Sequence, residues 1–412
     1  MLDVAKTLNR GAISASESRG EQRALLTIMT LGLLLRIAAA YWLPNQSAAL
    51  PDIITYRESA AQLLANGLMI SPFQMPLYPL FIVLFGQWQA AADIAVSAIT
   101  IWLVYALALD IFADRLAANF AALACACYPP LIFFAVVGLS ETLFIALILT
   151  TFLLWYRGNF AAAALFAVLT ILTRPIFDIA PIFIVYFSLV IHRHSLVRTL
   201  KHLIVYAVIY GVLLAPWWAH NYRRYGEFVR LTAGAGYTLY AGNNPLNTSG
   251  GGNIGVDFKI DDFSHYKNDA DRDRAMGKAA YGYIVGHPAR FFELAGLKFI
   301  RIWRLWPVNA AYASMRNIVI SALTFIPVLL LSGLGLWLGR GRLRQLSPIL
   351  IFGLLYTMAY MVLVGTMRYR LPLEPFLLIL AGFAVSKVTG RIFASPAEAG
   401  PSAPLRPGSP RP

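Results

Sequence analysis

Apolar runs close to twenty residues long recur from one end of this chain to the other, and they limit its possible folds more than any other feature. A helix of that length, rising about 1.5 Å per residue, crosses the hydrocarbon core of a bilayer. Hydrophobic residues make up 58% of the 412 positions and charged ones only 13%, a balance outside the range of soluble globular chains. The expected class is therefore an all-α polytopic membrane protein. The formal net charge of +14 is then a matter of topology, and no nucleic-acid partner is expected. Cys125 and Cys127 share one apolar run, which suits small packing residues better than a disulfide framework.

About ten transmembrane spans are expected, near 24–43, 92–112, 117–136, 139–156, 159–173, 176–191, 199–216, 317–338, 347–365 and 371–388. Residues 1–23 are polar and of mixed charge. They show no cleavable leader, because the first apolar run is too long for the core of a signal peptide. The run 76–85 is too short to cross and fits a re-entrant or interfacial helix.

Charge supports that count. With the N-terminus inside, the inward connections carry Arg115, Arg157, Arg193, Arg198, Lys201, Arg340, Arg342, Arg344, Lys387 and Arg391, as the positive-inside rule requires. Counting 76–85 as a full span would invert all of them. The expected division is a cytoplasmic tail (1–23), a transmembrane module (24–216) with a structured outer loop (44–91), an extracytoplasmic segment (217–316) and C-terminal transmembrane helices (317–388). A cytoplasmic tail (389–412) follows, disordered from about Ser395 by its Pro, Ala, Gly and Ser content. No strong fixed-period repeat is visible.

Five separated polar elements then fall on the outer side. Asp52 follows the first span and precedes a plausible helix, 53–65. It suits a helix N-cap or a general base at the membrane surface, and one carboxylate can serve as both. Glu141 stands at the outer end of a span, where a buried acid is costly, although a first-turn acid beside Ser140 also suits the helix dipole. Arg174, Arg368 and Arg370 lie at the same level. Their planar forks match a phosphate, while single arginines there commonly snorkel to headgroups. Asp178 and Glu374 are available to pair with them.

The long segment opens with Pro216-Trp217-Trp218-Ala219-His220-Asn221-Tyr222, whose aromatics suit an interfacial belt or a surface for a sugar or lipid. It contains a Gly/Asn-rich stretch, 242–253, and two expected helices near 269–286 and 288–303, which together could cap the membrane face. The acids Asp257, Asp261, Asp262, Asp269, Asp271 and Asp273 lack the Gly and terminal Glu of an EF-hand loop and read as a solvated helix start. No phosphate-cradling glycine loop or His/Cys metal cluster appears.

Across nearly its whole length the chain resembles the GT-C glycosyltransferases of the protein O-mannosyltransferase and aminoarabinose transferase kind (glycosyltransferase family 39-like). Five elements carry the resemblance: Asp52 with Tyr56, Pro76-Leu77-Tyr78-Pro79, Ser140-Glu141, Pro216-Trp217 through Asn221-Tyr222, and Arg368-Tyr369-Arg370-Leu371-Pro372-Leu373-Glu374-Pro375. The resemblance implies inverting transfer of a monosaccharide from a polyprenyl-phosphate carrier to an acceptor hydroxyl of a glycan, lipid or protein. It implies Asp52 as base, Glu141 as a second catalytic acid, and Arg174, Arg368 and Arg370 on the donor phosphate. Tyr56, Arg57, Tyr78, Trp217, Asn221 and Tyr369 are expected to line the substrates. No metal or other cofactor is required by default, with divalent metal left open, and the expected setting is a bacterial inner membrane with the site on the periplasmic face.

The chain departs from some relatives in carrying Gln74 and Met75 where a lysine precedes the Pro-Leu-Tyr element, and it lacks a large C-terminal soluble domain. The alternatives are a transporter or flippase of a lipid-linked sugar and a non-catalytic envelope scaffold. A transporter predicts inverted repeats and charge at the membrane midplane, whereas the charges singled out here lie at the outer edge.

Overall fold

The computed structural model describes residues 2–43, 50–69, 71–307 and 314–393, with side chains from 22 to 390. Sixteen α-helices run through these residues. The first eight are α1 (Leu2–Trp42), α2 (Asp52–Asn66), α3 (Leu77–Phe85), α4 (Gln89–Phe112), α5 (Arg115–Cys127), α6 (Pro129–Phe134), α7 (Glu141–Tyr156) and α8 (Phe160–Thr173). The rest are α9 (Ala180–Tyr186), α10 (Leu196–Tyr225), α11 (Ala235–Gly242), α12 (Asp269–Gly286), α13 (Pro288–Ile302), α14 (Met315–Leu338), α15 (Leu343–Val362) and α16 (Glu374–Phe393). No β-strand occurs among the described residues; one isolated bridge pairs Ile254 with Phe258.

Among the described residues six segments are long and apolar enough to cross a membrane: Gln22–Trp42, Leu77–Phe112, Leu196–Tyr225, Met315–Leu338, Arg340–Val362 and Met367–Gly390. Four shorter apolar helices, Arg115–Cys127, Glu141–Tyr156, Phe160–Thr173 and Pro175–Ile191, accompany them. The chain is an integral membrane protein built on helices.

Several boundaries differ from those expected. The run 117–136 is two helices, because Tyr128 is extended ahead of Pro129-Pro130 and the residue before a proline is pushed out of the helical region. The run 176–191 is likewise divided, into a 3-10 turn at Pro175–Phe177, α9, and a π-helical turn at Phe187–Ile191. Conversely, α10 passes straight through Pro216 and ends at Gly226, which takes the left-handed φ of 74°. Trp217 and Asn221 therefore belong to a helix and do not open the polar segment. At the N-terminus α1 takes in nearly all of 1–23, and at the other end α16 carries the fold to Phe393. The tail from Ser395 lies outside the described residues.

The bundle is centred on α16, which packs against α14, α5 and α4, while α4 also packs against α5 and α7. Apolar side chains gain little by leaving lipid, so close helix contact depends on small residues. Ala117, Ala118, Ala121 and Ala122 of α5 are buried here. A Cβ on Gly382 of α16 would lie 2.6 Å from the Ala117 carbonyl oxygen.

Candidate active site

Four charged side chains from four elements meet at one end of this bundle. Asp52 is the first residue of α2, and Pro51 occupies the N-cap with no side-chain cap bond. Asp52 is thus not the helix cap, and its Oδ2 accepts instead from Arg368 Nη1 at 2.6 Å. Arg368 is the second residue of a 3-10 turn, Met367–Leu373, that leads into α16. Its Nε donates to Glu141 Oε1. Glu141 opens α7, where the helix dipole favours an acid, and the same Oε1 lies 2.6 Å from Arg174 Nη2.

Arg174 follows the last residue of α8 in extended backbone, φ −148° and ψ 124°, as a residue preceding proline must. That turn aims its side chain back at α7, where Nε donates to Ser140 Oγ at 3.0 Å. The four form an alternating row, Asp52–Arg368–Glu141–Arg174, with a formal charge of two minus two, or zero. Glu141 is fully enclosed, Arg174 and Arg368 are partly buried, and Asp52 is 57% exposed. The row therefore runs from the surface inward. A solvent-facing carboxylate is its outermost member. Glu141 Oε2 is buried without a hydrogen-bond partner.

Tyr56 and Tyr78 underlie this row. Both are buried; the Tyr56 hydroxyl shares a 2.9 Å hydrogen bond with Ser140 Oγ, and the two rings meet edge to face at 5.0 Å. Tyr78 in turn donates to Asp93 Oδ2 at 2.9 Å, and Gln89 Nε2 donates to the same oxygen at 2.6 Å. Tyr369 stacks on Tyr360 with centroids 4.0 Å apart, and Arg57 lies on the exposed face of α2.

Three of the expected residues are held elsewhere. Arg370, 3% exposed, pairs with Glu374 at 2.7 Å, donates to the Arg304 carbonyl and lies over the Phe325 ring. Its charge is neutralised by Glu374, the first residue of α16, so it stands apart from the row. Trp217 Nε1 donates to the Leu231 carbonyl at 2.6 Å, and Asn221 Nδ2 to the Val229 and Leu231 carbonyls. These two side chains fasten the loop after α10 and offer it no open face. Ser140, named with Glu141 in the resemblance, links Arg174 to Tyr56, and Gln89, Asp93 and Tyr360 take part in the site without having been expected to; of these, Asp93 carries a legible signal, an acid inside an apolar run. Among the described residues no group of three or more His, Cys, Asp or Glu side chains is arranged to hold a metal ion.

No protein-family model matches the chain, and no curated protein does. Solved structures share its fold. The archaeal oligosaccharyltransferase AglB from Archaeoglobus fulgidus, in complex with an inhibitory peptide and a dolichol-phosphate, is 13% identical with a TM-score of 0.57 over 91% of this chain and 51% of that one. The Archaeoglobus fulgidus oligosaccharyltransferase tethered to an acceptor peptide containing the NVT sequon is 14% identical with a TM-score of 0.55, over 90% and 50%. A weaker likeness, 16% identical with a TM-score of 0.44 over 88% and 78%, is to ArnT from Cupriavidus metallidurans bound to undecaprenyl phosphate. The chain spans about half the length of the oligosaccharyltransferase chains, 50–51%. The likeness establishes the fold: this is a membrane protein of GT-C architecture.

Proposed function

We propose that this protein is an inverting glycosyltransferase that moves a monosaccharide from a polyprenyl-phosphate carrier to an acceptor hydroxyl at the outer face of the membrane. The observation that carries it is the row Asp52–Arg368–Glu141–Arg174, which sets two guanidinium groups directly behind a solvent-facing carboxylate. The GT-C fold and the dolichol-phosphate in the AglB structure support a lipid phosphate as the donor.

In the reaction the acceptor hydroxyl gives its proton to Asp52 as its oxygen bonds to the anomeric carbon. The bond from that carbon to the phosphate oxygen breaks, and its electron pair leaves with the polyprenyl phosphate. This leaving group needs positive charge, not a proton donor, and Arg174 and Arg368 supply it. Glu141 holds both guanidinium groups in place. Asp52 is itself paired with Arg368 when no substrate is bound. A phosphate drawing the Arg368 fork toward itself loosens that pair and restores Asp52 as a base.

Asp52→Asn tests this. It removes the proton acceptor with almost no change of shape, and transfer from a labelled polyprenyl-phosphate sugar should fall on the order of a hundred- to ten-thousand-fold. The variant should extract and elute as the wild type does. Full activity in Asp52→Asn would sink the proposal.

A further inference from the structure

A lysine lies wholly buried beneath the turn that delivers Arg368. Lys298 of α13 is 0% exposed, and its Nζ donates to Asn243 Oδ1 at 2.9 Å and to the Val362 carbonyl at 3.2 Å. The Val362 carbonyl belongs to the last residue of α15, one of the groups that a helix end leaves without an intrahelical partner. Asn243, also 0% exposed, donates through Nδ2 to the same carbonyl at 2.8 Å. A lysine and an asparagine from the polar segment thus converge on one atom of the bundle.

The other end of the turn is held as firmly. The Gly365 amide donates to the Gly250 carbonyl at 3.0 Å, and the Gly365 carbonyl accepts from Arg301 Nε at 3.1 Å. The contact is close: a Cβ on Gly365 would stand 2.6 Å from Lys298 Cα. Gly250 lies in a loop organised by the buried Asn247, whose Oδ1 accepts from the Gly250 amide at 2.8 Å. From Gly365 the chain passes through the extended Thr366 into the 3-10 turn, and Arg368 is the second residue of that turn. Both ends of the four-residue turn 362–365 are therefore fixed by the segment that follows α10.

We propose that Lys298 and Asn243 are positioning residues for Arg368, and that the Gly/Asn-rich segment 242–253 serves to set the donor-phosphate arginine. This rests on Arg368 binding the phosphate, as proposed above. A clamp on Val362 and Gly365 restricts where Arg368 Cα stands, so loosening it misplaces the guanidinium without altering its chemistry. A buried ammonium bonded only to neutral oxygens is costly to keep, and serving the site gives a reason for keeping it.

The test measures binding of dolichyl phosphate, with neutral dolichol as control, to the full-length protein in detergent. Lys298→Met keeps the bulk of the side chain and removes the donor. It should weaken dolichyl phosphate binding about five- to tenfold and leave dolichol binding unchanged. Arg368→Gln should weaken it at least as much, and the double variant should bind no more weakly than Arg368→Gln alone.

Equal losses for both ligands, or losses that multiply in the double variant, would mean general damage and would overturn the positioning role. So would wild-type affinity in Lys298→Met when Arg368→Gln binds poorly. If Arg368→Gln binds normally, the phosphate role of Arg368 fails first and this proposal fails with it. Should Lys298→Met not fold, Arg301→Gln, which removes the Nε donor to Gly365 together with the charge near Asp257, takes its place in the same comparison with the same expected pattern.

Discussion

Single charged side chains are handled in two ways in this protein. At the site, each guanidinium faces a carboxylate and the row is neutral. Lys298 has only an amide oxygen and a backbone carbonyl as acceptors, and burial pushes its ammonium down from 10.5 to about 7. Between those values the unfolded chain holds a proton that the folded chain has released, so stability rises with pH across that window. The penalty is full below about 7 and is relieved toward 10.5. Thermal unfolding of the wild type should therefore move to higher temperature between pH 7 and 9.5 relative to Lys298→Met, which has nothing to titrate there. Parallel curves for the two proteins would refute the assignment. The residue scale also shows what a sequence discloses. Asp52, Glu141, Arg174 and Arg368 are legible because each interrupts or borders an apolar run. Asp93 is visible as an acid inside an apolar run, but what ties it to the site, its bonds from Tyr78 and Gln89, 15 and 4 residues away, is not. Lys298 is hidden in an ordinary amphipathic pattern.

Helices are where the sequence is most and least readable. Run lengths locate most of the apolar helices, because crossing a bilayer imposes a length. Prolines mislead in both directions: Pro129-Pro130 divides an apolar run, whereas Pro216 lies inside a 30-residue helix. Within membranes neighbouring groups can satisfy the backbone that a proline frees, and the local sequence does not say where. Arg36 shows how these helices are tied. It is buried in α1, donating from Nε to Ser97 Oγ of α4 at 2.6 Å and from Nη1 to the Gly32 and Ala126 carbonyls at 2.9 and 3.0 Å. None of these acceptors carries a charge, so the fork holds three helices together while leaving its cation uncompensated. Arg36→Lys keeps the charge and loses the fork, since an ammonium cannot span these positions. Arg36→Met loses both the charge and the tie. Replacing a buried charge by an apolar group of similar size is commonly near neutral, whereas stranding one costs about 3–5 kcal/mol. Arg36→Lys should therefore lower the unfolding temperature in detergent more than Arg36→Met, and the reverse order would show that the tie itself dominates.

For the molecule as a whole, the decisive feature is that charge is sorted to two ends. Glu141 begins α7 and Arg157 follows its last residue, so sixteen helical residues, about 24 Å, separate the site from the opposite end. At that opposite end basic side chains collect. Arg157 pairs with Asp110 at 2.7 Å, Lys387 with Asp114 at 2.8 Å, and Arg342 and Arg344 donate to the Phe112 and Val190 carbonyls at 2.7 and 2.8 Å. Arginines suit helix C-termini on either side of a membrane, so orientation rests on the positive-inside rule alone. By that rule the orientation proposed for the transfer has this basic end in the cytoplasm and Asp52, Glu141, Arg174 and Arg368 outside. Arg57 on α2 and Arg198 near the start of α10 are exposed at the two ends. With Cys127 replaced by serine and Cys125 buried, Arg57→Cys should react with a membrane-impermeant maleimide on intact cells. Arg198→Cys should react only after the membrane is opened. The opposite pattern would place the site on the cytoplasmic face, where the proposed transfer to an outer acceptor fails however well the four side chains are arranged.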